Sequence, residues 1–103
     1  MHVSDVVEAN LAAAGLPGFH IYNVGTGIET TVVELYREIA RALGSGAEAT
    51  HGPGKPGEQR RSVIDAGLLR RELKVPEPLP LAEGLARTAA WFRARNFPRP
   101  LPV

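Results

Sequence analysis

The 103-residue chain has no cysteine, which removes disulfide frameworks, thiolate metal sites and cysteine nucleophiles together. A dominant charge is missing too. Twelve Lys+Arg against eleven Asp+Glu leave a formal +1, far from the basic excess of a nucleic-acid binder, so no nucleic-acid partner is expected. No apolar run approaches the roughly 20 residues needed to cross a bilayer. The opening MHVSDVVEAN also lacks a basic-then-apolar signal organisation. No membrane partner is therefore expected, and the cytoplasm is the default location. What is present is an ordinary globular mixture, 44% hydrophobic and 22% charged, long enough for one small domain with a thin stability margin.

The first helix should start almost at residue 1, capped by Ser4 or Asp5 with Glu8 three residues beyond Asp5. Val7, Leu11 and Ala14 recur at helical spacing, with Val6 and Ala13 beside them, and Gly15 supplies a left-handed stop. A helix that opens a domain with nothing before it to pack against is unusual. Phe19 to Gly25 (FHIYNVG) reads as a strand without a polar face, the pattern of a strand covered on both sides. Thr31 begins a T-x-x-E capping box with Glu34. Val32, Leu35, Tyr36, Ile39 and Leu43 then form an apolar stripe that Gly44 ends. A short extended run at Ala47–His51 would complete a strand–helix–strand unit with a right-handed crossover.

The loop GPGKPGEQ, Gly52 to Gln59, is too rich in glycine and proline for regular structure. Arg60–Ile64 reads as a strand and Asp65 as the cap of a helix running to about Leu73. Pro76, Pro78 and Pro80 hold an extended connector. A last helix, about Leu81 to Arg95, aligns Leu81, Leu85, Ala89 and Phe92, with Trp91 on the flank. A domain over residues 1–97 and an extended or disordered tail at 98–103 follow.

Few motifs carry chemistry. Gly25-Thr26-Gly27 lies between a strand and a helix, but position 30 is threonine rather than the third glycine of a dinucleotide loop. A sharp turn accounts for these glycines. His2, His20 and His51 have no metal-ligand spacing. Ser45 lacks a nucleophile-elbow context. No catalytic residue is identified. One cluster remains: the loop and the strand after it gather Lys55, Glu58, Arg60 and Arg61. Cations there can neutralise a diphosphate, and a carboxylate can accept hydrogen bonds from vicinal ribose hydroxyls. An ordinary exposed loop is the competing explanation.

Four segments in order, HVSDVVEANL, YNVGTGIETTVVELYREIARALG, PGKPGEQRRSVIDAGLLRREL and LPLAEGLARTAAWFRAR, resemble the C-terminal part of the NAD-dependent nucleotide-sugar epimerases and dehydratases. These are extended short-chain dehydrogenases, and the likeness is of the UDP-glucose 4-epimerase type. The resemblance implies a small mixed α/β substrate-binding domain with a strand–helix–strand unit and flanking helices, lacking the N-terminal Rossmann domain. It implies that NAD belongs to the full-length family with no cofactor in this chain, because the dinucleotide loop and the Tyr-x-x-x-Lys pair have no counterpart here.

The family loop reads Arg-x-Gly-Asp/Glu. By resemblance Lys55 stands where its phosphate-binding arginine is expected, and Glu58 stands for its ribose-binding acid. Lys55, Glu58 and Arg60 are the expected substrate-binding residues, for a UDP-sugar held weakly at best. Leu73-Lys74-Val75 departs from the family's Leu-Gly-Trp. The expected role is a truncated portion of such an enzyme that contributes to UDP-sugar binding and is not catalytic alone. The alternative is an interaction domain forming a homo-oligomer through a former interdomain face that includes Val6, Val7 and Trp91.

Overall fold

Side-chain caps start the first two of four helices in the computed structural model, which describes residues 1–95. The four are α1 (Val3–Ala14), α2 (Val32–Leu43), α3 (Gly67–Glu72) and α4 (Leu81–Ala94). The expected tail at 98–103 lies outside the described residues.

Helix α2 follows its sequence signals. The Glu34 N–H donates to Thr31 Oγ1 at 3.1 Å and the Thr31 N–H to Glu34 Oε2 at 2.7 Å, closing both halves of the capping box. At the other end Gly44 adopts φ 64°. That left-handed backbone lets the Ser45 N–H return to the Ala40 carbonyl at 2.9 Å. The Arg93 guanidinium of α4 also donates to the Leu43 carbonyl at 2.7 Å. The two helices pack together.

Helix α1 is capped differently from expectation. His2 is the cap: its Nδ1 accepts from the Ser4 N–H at 3.2 Å and lies 2.8 Å from the Ser4 hydroxyl. Asp5 is unavailable as a cap because its carboxylate accepts the Leu79 N–H at 3.2 Å, pinning the proline connector to α1. Gly15 ends the helix at φ −89°, a right-handed rather than left-handed conformation. The buried face differs as well. Ala9 is buried against Leu69 and Leu73, with Ala12, Ala13, Leu16, Tyr22, Val24 and Val75 around them. The alanines of this face leave room for the larger Leu69 and Leu73 side chains to cover it. Val3, Val7 and Leu11, one turn apart, remain 69%, 47% and 66% exposed. The expected stripe of Val7, Leu11 and Ala14 thus lies on the outer face, while Ala13 beside it joins the core.

Helix α3 begins two residues after Asp65. The Asp65 carboxylate accepts the Gly67 N–H at 2.8 Å, a local turn of the kind that aspartate forms with the second residue after it. That turn leaves Ala66 at the cap position. In α4, Ala89 is buried and Leu81 and Leu85 are half-buried, as the aligned face requires, but Phe92 is exposed. Trp91 meets Phe92 edge-on at 5.0 Å and carries the Arg95 guanidinium 3.9 Å above its ring.

No strand occurs among the described residues, so the expected strand–helix–strand unit is not formed there. A strand is a partnership of backbone N–H and C=O groups across two segments. Phe19–Gly25, 47–51 and 60–64 run separately without a ladder between them. Phe19–Gly25 is covered on one side only: Tyr22 and Val24 join the core, while Phe19 and Ile21 are 88% and 74% exposed. The Cα radius of gyration is 17.0 Å, against about 13 Å for a compact chain of this length. The packing is open.

Candidate functional site

Lys55 to Glu58 form a tight turn. The Glu58 N–H donates to the Lys55 carbonyl at 3.3 Å and Gly57 sits at φ 83°. Proline followed by a positive-φ glycine is the type II signature, and a side chain at position 57 would be strained. The Glu58 carboxylate folds back over the turn and accepts the Lys55 N–H at 3.4 Å. Lys55 and Glu58 are therefore brought together by the turn itself. Arg60 follows two residues later and is exposed. Among the described residues no hydrogen bond or ion pair engages the Lys55 ammonium or the Arg60 guanidinium, which leaves two cations and one carboxylate on an open loop.

Arg61, the fourth member of the sequence cluster, is committed elsewhere. Its Nε and Nη2 donate to Glu29 Oε1 and Oε2, both at 2.7 Å. This two-pronged pair holds the Glu29 carboxyl below the usual carboxylate range and raises the arginine. Nothing local in GIETT signals it, because the partners lie 32 residues apart.

The Gly25-Thr26-Gly27 turn is a packing contact. A Cβ at Gly25 would stand 3.2 Å from the Ile64 Cβ, and the Thr26 carbonyl accepts from Arg70 at 3.0 Å. Ile64 therefore packs directly on this turn, whose glycines serve a close approach between two segments of the chain. Both tyrosines are engaged through their hydroxyls. Tyr22 donates to Glu72 Oε2 at 2.5 Å, and that hydrogen bond, with burial and the carboxylate's charge, pushes the phenol pKa up. Tyr36 donates to the Ala47 carbonyl. Among the described residues no group of His, Asp or Glu is arranged to hold a metal ion.

A cavity of about 750 Å³ lies elsewhere. It is a cleft between the proline connector, α4 and the start of α2, lined by Ile28, Leu35, Arg70, Leu79 and Leu85 among others. Lys55, Glu58 and Arg60 do not line it. The charge cluster and the cleft are thus separate places on the chain. An exposed loop can contact a diphosphate but cannot remove it from water unaided, because burying a ligand takes walls on several sides.

No family model matches the chain, but curated relatives do. It is 40% identical over 95 residues to UDP-glucose 4-epimerase of Mycolicibacterium smegmatis, a match covering 91% of this chain and 30% of that protein. It is 34% identical to dTDP-glucose 4,6-dehydratase of Streptomyces niveus, over 90% of this chain and 28% of the relative. A putative UDP-glucose 4-epimerase of Methanocaldococcus jannaschii is 34% identical, over 93% and 31%. The chain thus spans about 30% of the length of the relatives it matches.

Proposed function

The chain belongs with the extended short-chain dehydrogenases that include UDP-glucose 4-epimerase and dTDP-glucose 4,6-dehydratase, and from that premise we propose that it forms the C-terminal, nucleotide-sugar-contacting portion of such an enzyme. Lys55 and Arg60 meet the diphosphate of a UDP-sugar, and Glu58 accepts hydrogen bonds from its ribose hydroxyls. The observation that carries this reading is the Lys55–Glu58 turn, where both side chains stand on one exposed loop within a chain 40% identical to an epimerase.

The chemistry available to this chain is binding and orientation. Two cations offset the two diphosphate charges, and the carboxylate discriminates a ribose by its paired hydroxyls. The redox step of such enzymes belongs to NAD, which would be held by the rest of a full-length protein, with no step assigned to residues here. Because the loop is open, affinity in this chain alone is low.

Equilibrium binding of UDP, read by calorimetry or chemical shift, tests the assignment. Binding in the millimolar range is expected, abolished by Glu58→Ala combined with Lys55→Ala. Lys55→Arg is expected to tighten binding about threefold to tenfold, because guanidinium engages phosphate through two parallel bonds and ammonium through one point charge. Equal binding by all variants would contradict the assignment. A second reading, a homo-oligomer built on Val6, Val7 and Trp91, is favoured by their exposure of 38%, 47% and 46%. A concentration-independent monomer in light scattering would rule it out.

A further inference from the structure

We infer that Glu29 and Arg61 form a positioning pair that fixes where the Lys55–Arg60 loop stands against α2, an inference that rests on the nucleotide-sugar reading of that loop. From Ala47 to Arg61 the chain makes a long excursion. Among the described residues no hydrogen bond or ion pair ties residues 48–60 to the rest of the molecule. A Cβ added at Gly52, Gly54 or Gly57 would meet nothing within 4 Å. The excursion therefore stands on two feet. One is the Tyr36 hydroxyl on the Ala47 carbonyl, and the other is the double hydrogen bond from Arg61 to Glu29.

Both feet rest on one short stretch of chain, Glu29 ahead of α2 and Tyr36 within it, so the loop is carried by α2. Beyond Arg61 the chain is next held where Ile64 packs on Gly25 and Arg70 reaches Thr26. Arg61 adjoins Arg60 and lies three residues from Glu58, so its fork sets the direction in which those side chains leave the backbone. Committing Arg61 to Glu29 also leaves Arg60 as the cation on this limb free for a ligand.

The test uses the full 103-residue chain and two readouts: backbone order parameters of the amides at 52–60, and UDP affinity. Glu29→Gln and Arg61→Gln are each expected to lower the loop's order parameters and to weaken UDP binding about twofold to fivefold, the scale of an exposed ion pair. The charge swap, Glu29→Arg with Arg61→Glu, is expected to restore both. Unchanged order parameters in the single variants, or a swap that restores neither readout while the melting temperature is intact, would overturn the pair's role. If the wild-type chain binds no UDP, the nucleotide-sugar reading fails, and the order parameters still decide whether the pair holds the loop.

Discussion

Thr31 shows what one residue contributes here. Its hydroxyl and backbone both take part in the α2 capping box, and α2 has no buried residue of its own, so the cap supports a helix that packing secures only on one side. Thr31→Ala is expected to cost about 1 kcal/mol and to lower the melting temperature by about 4–8 °C in a domain of this size, measurable by circular dichroism. Tyr22 carries the pH dependence. Its phenol pKa is raised by the hydrogen bond to Glu72, by burial and by that carboxylate's charge. A raised pKa in the folded state means the contribution is complete below the ordinary tyrosine value, about 10, and is lost as pH climbs through the folded value. Glu72→Gln is expected to bring the phenol's ultraviolet titration back toward that ordinary value. An unmoved titration curve would show that the Tyr22–Glu72 bond does not persist in solution.

At the scale of elements, α1 separates what burial requires from what hydrophobicity suggests. Its alanine face is packed on Leu69 and Leu73, and its Val3–Val7–Leu11 face is not. Leu69→Ala is expected to cost about 2–5 kcal/mol through the cavity it leaves. Leu11→Glu is expected to change stability by no more than about 0.5 kcal/mol while lowering self-association; chemical denaturation and light scattering read the two effects.

The same scale shows what was legible in the sequence. The T-x-x-E box, Gly44 and the extent of α4 could be read because capping and helix periodicity act over three or four residues. The type II turn at Lys55–Glu58 could have been read from its proline and glycine. The strands could not be secured in this way, because a strand depends on a partner segment and none of the extended runs here supplies one to another. The α1 cap was also hidden, since Asp5 is drawn to Leu79 across 74 residues. Glu29 was missed for the same reason, its partner lying far along the chain.

At the scale of the whole molecule, several observations agree on an incomplete enclosure. The chain is more expanded than its length requires. The large apolar side chains of Phe19, Ile21, Ile28 and Val32 stand exposed. The charged loop lies outside the cleft beside α4, and the chain corresponds to about 30% of its relatives' length. No helix among the described residues is long and apolar enough to cross a membrane. Under the function proposed above, another part of a larger protein covers these apolar surfaces, and the loop adds its cations and carboxylate to a ligand held between the two.

The most direct measurement is an amide-resolved titration of the chain with UDP-glucose. Saturable shifts centred on Lys55, Glu58 and Arg60 are expected, with smaller ones at Glu29 and Arg61, and no turnover of the sugar when NAD is added. Shifts confined to the cleft between α2 and α4, an absence of any shift at millimolar ligand, or epimerisation by the chain alone would contradict it.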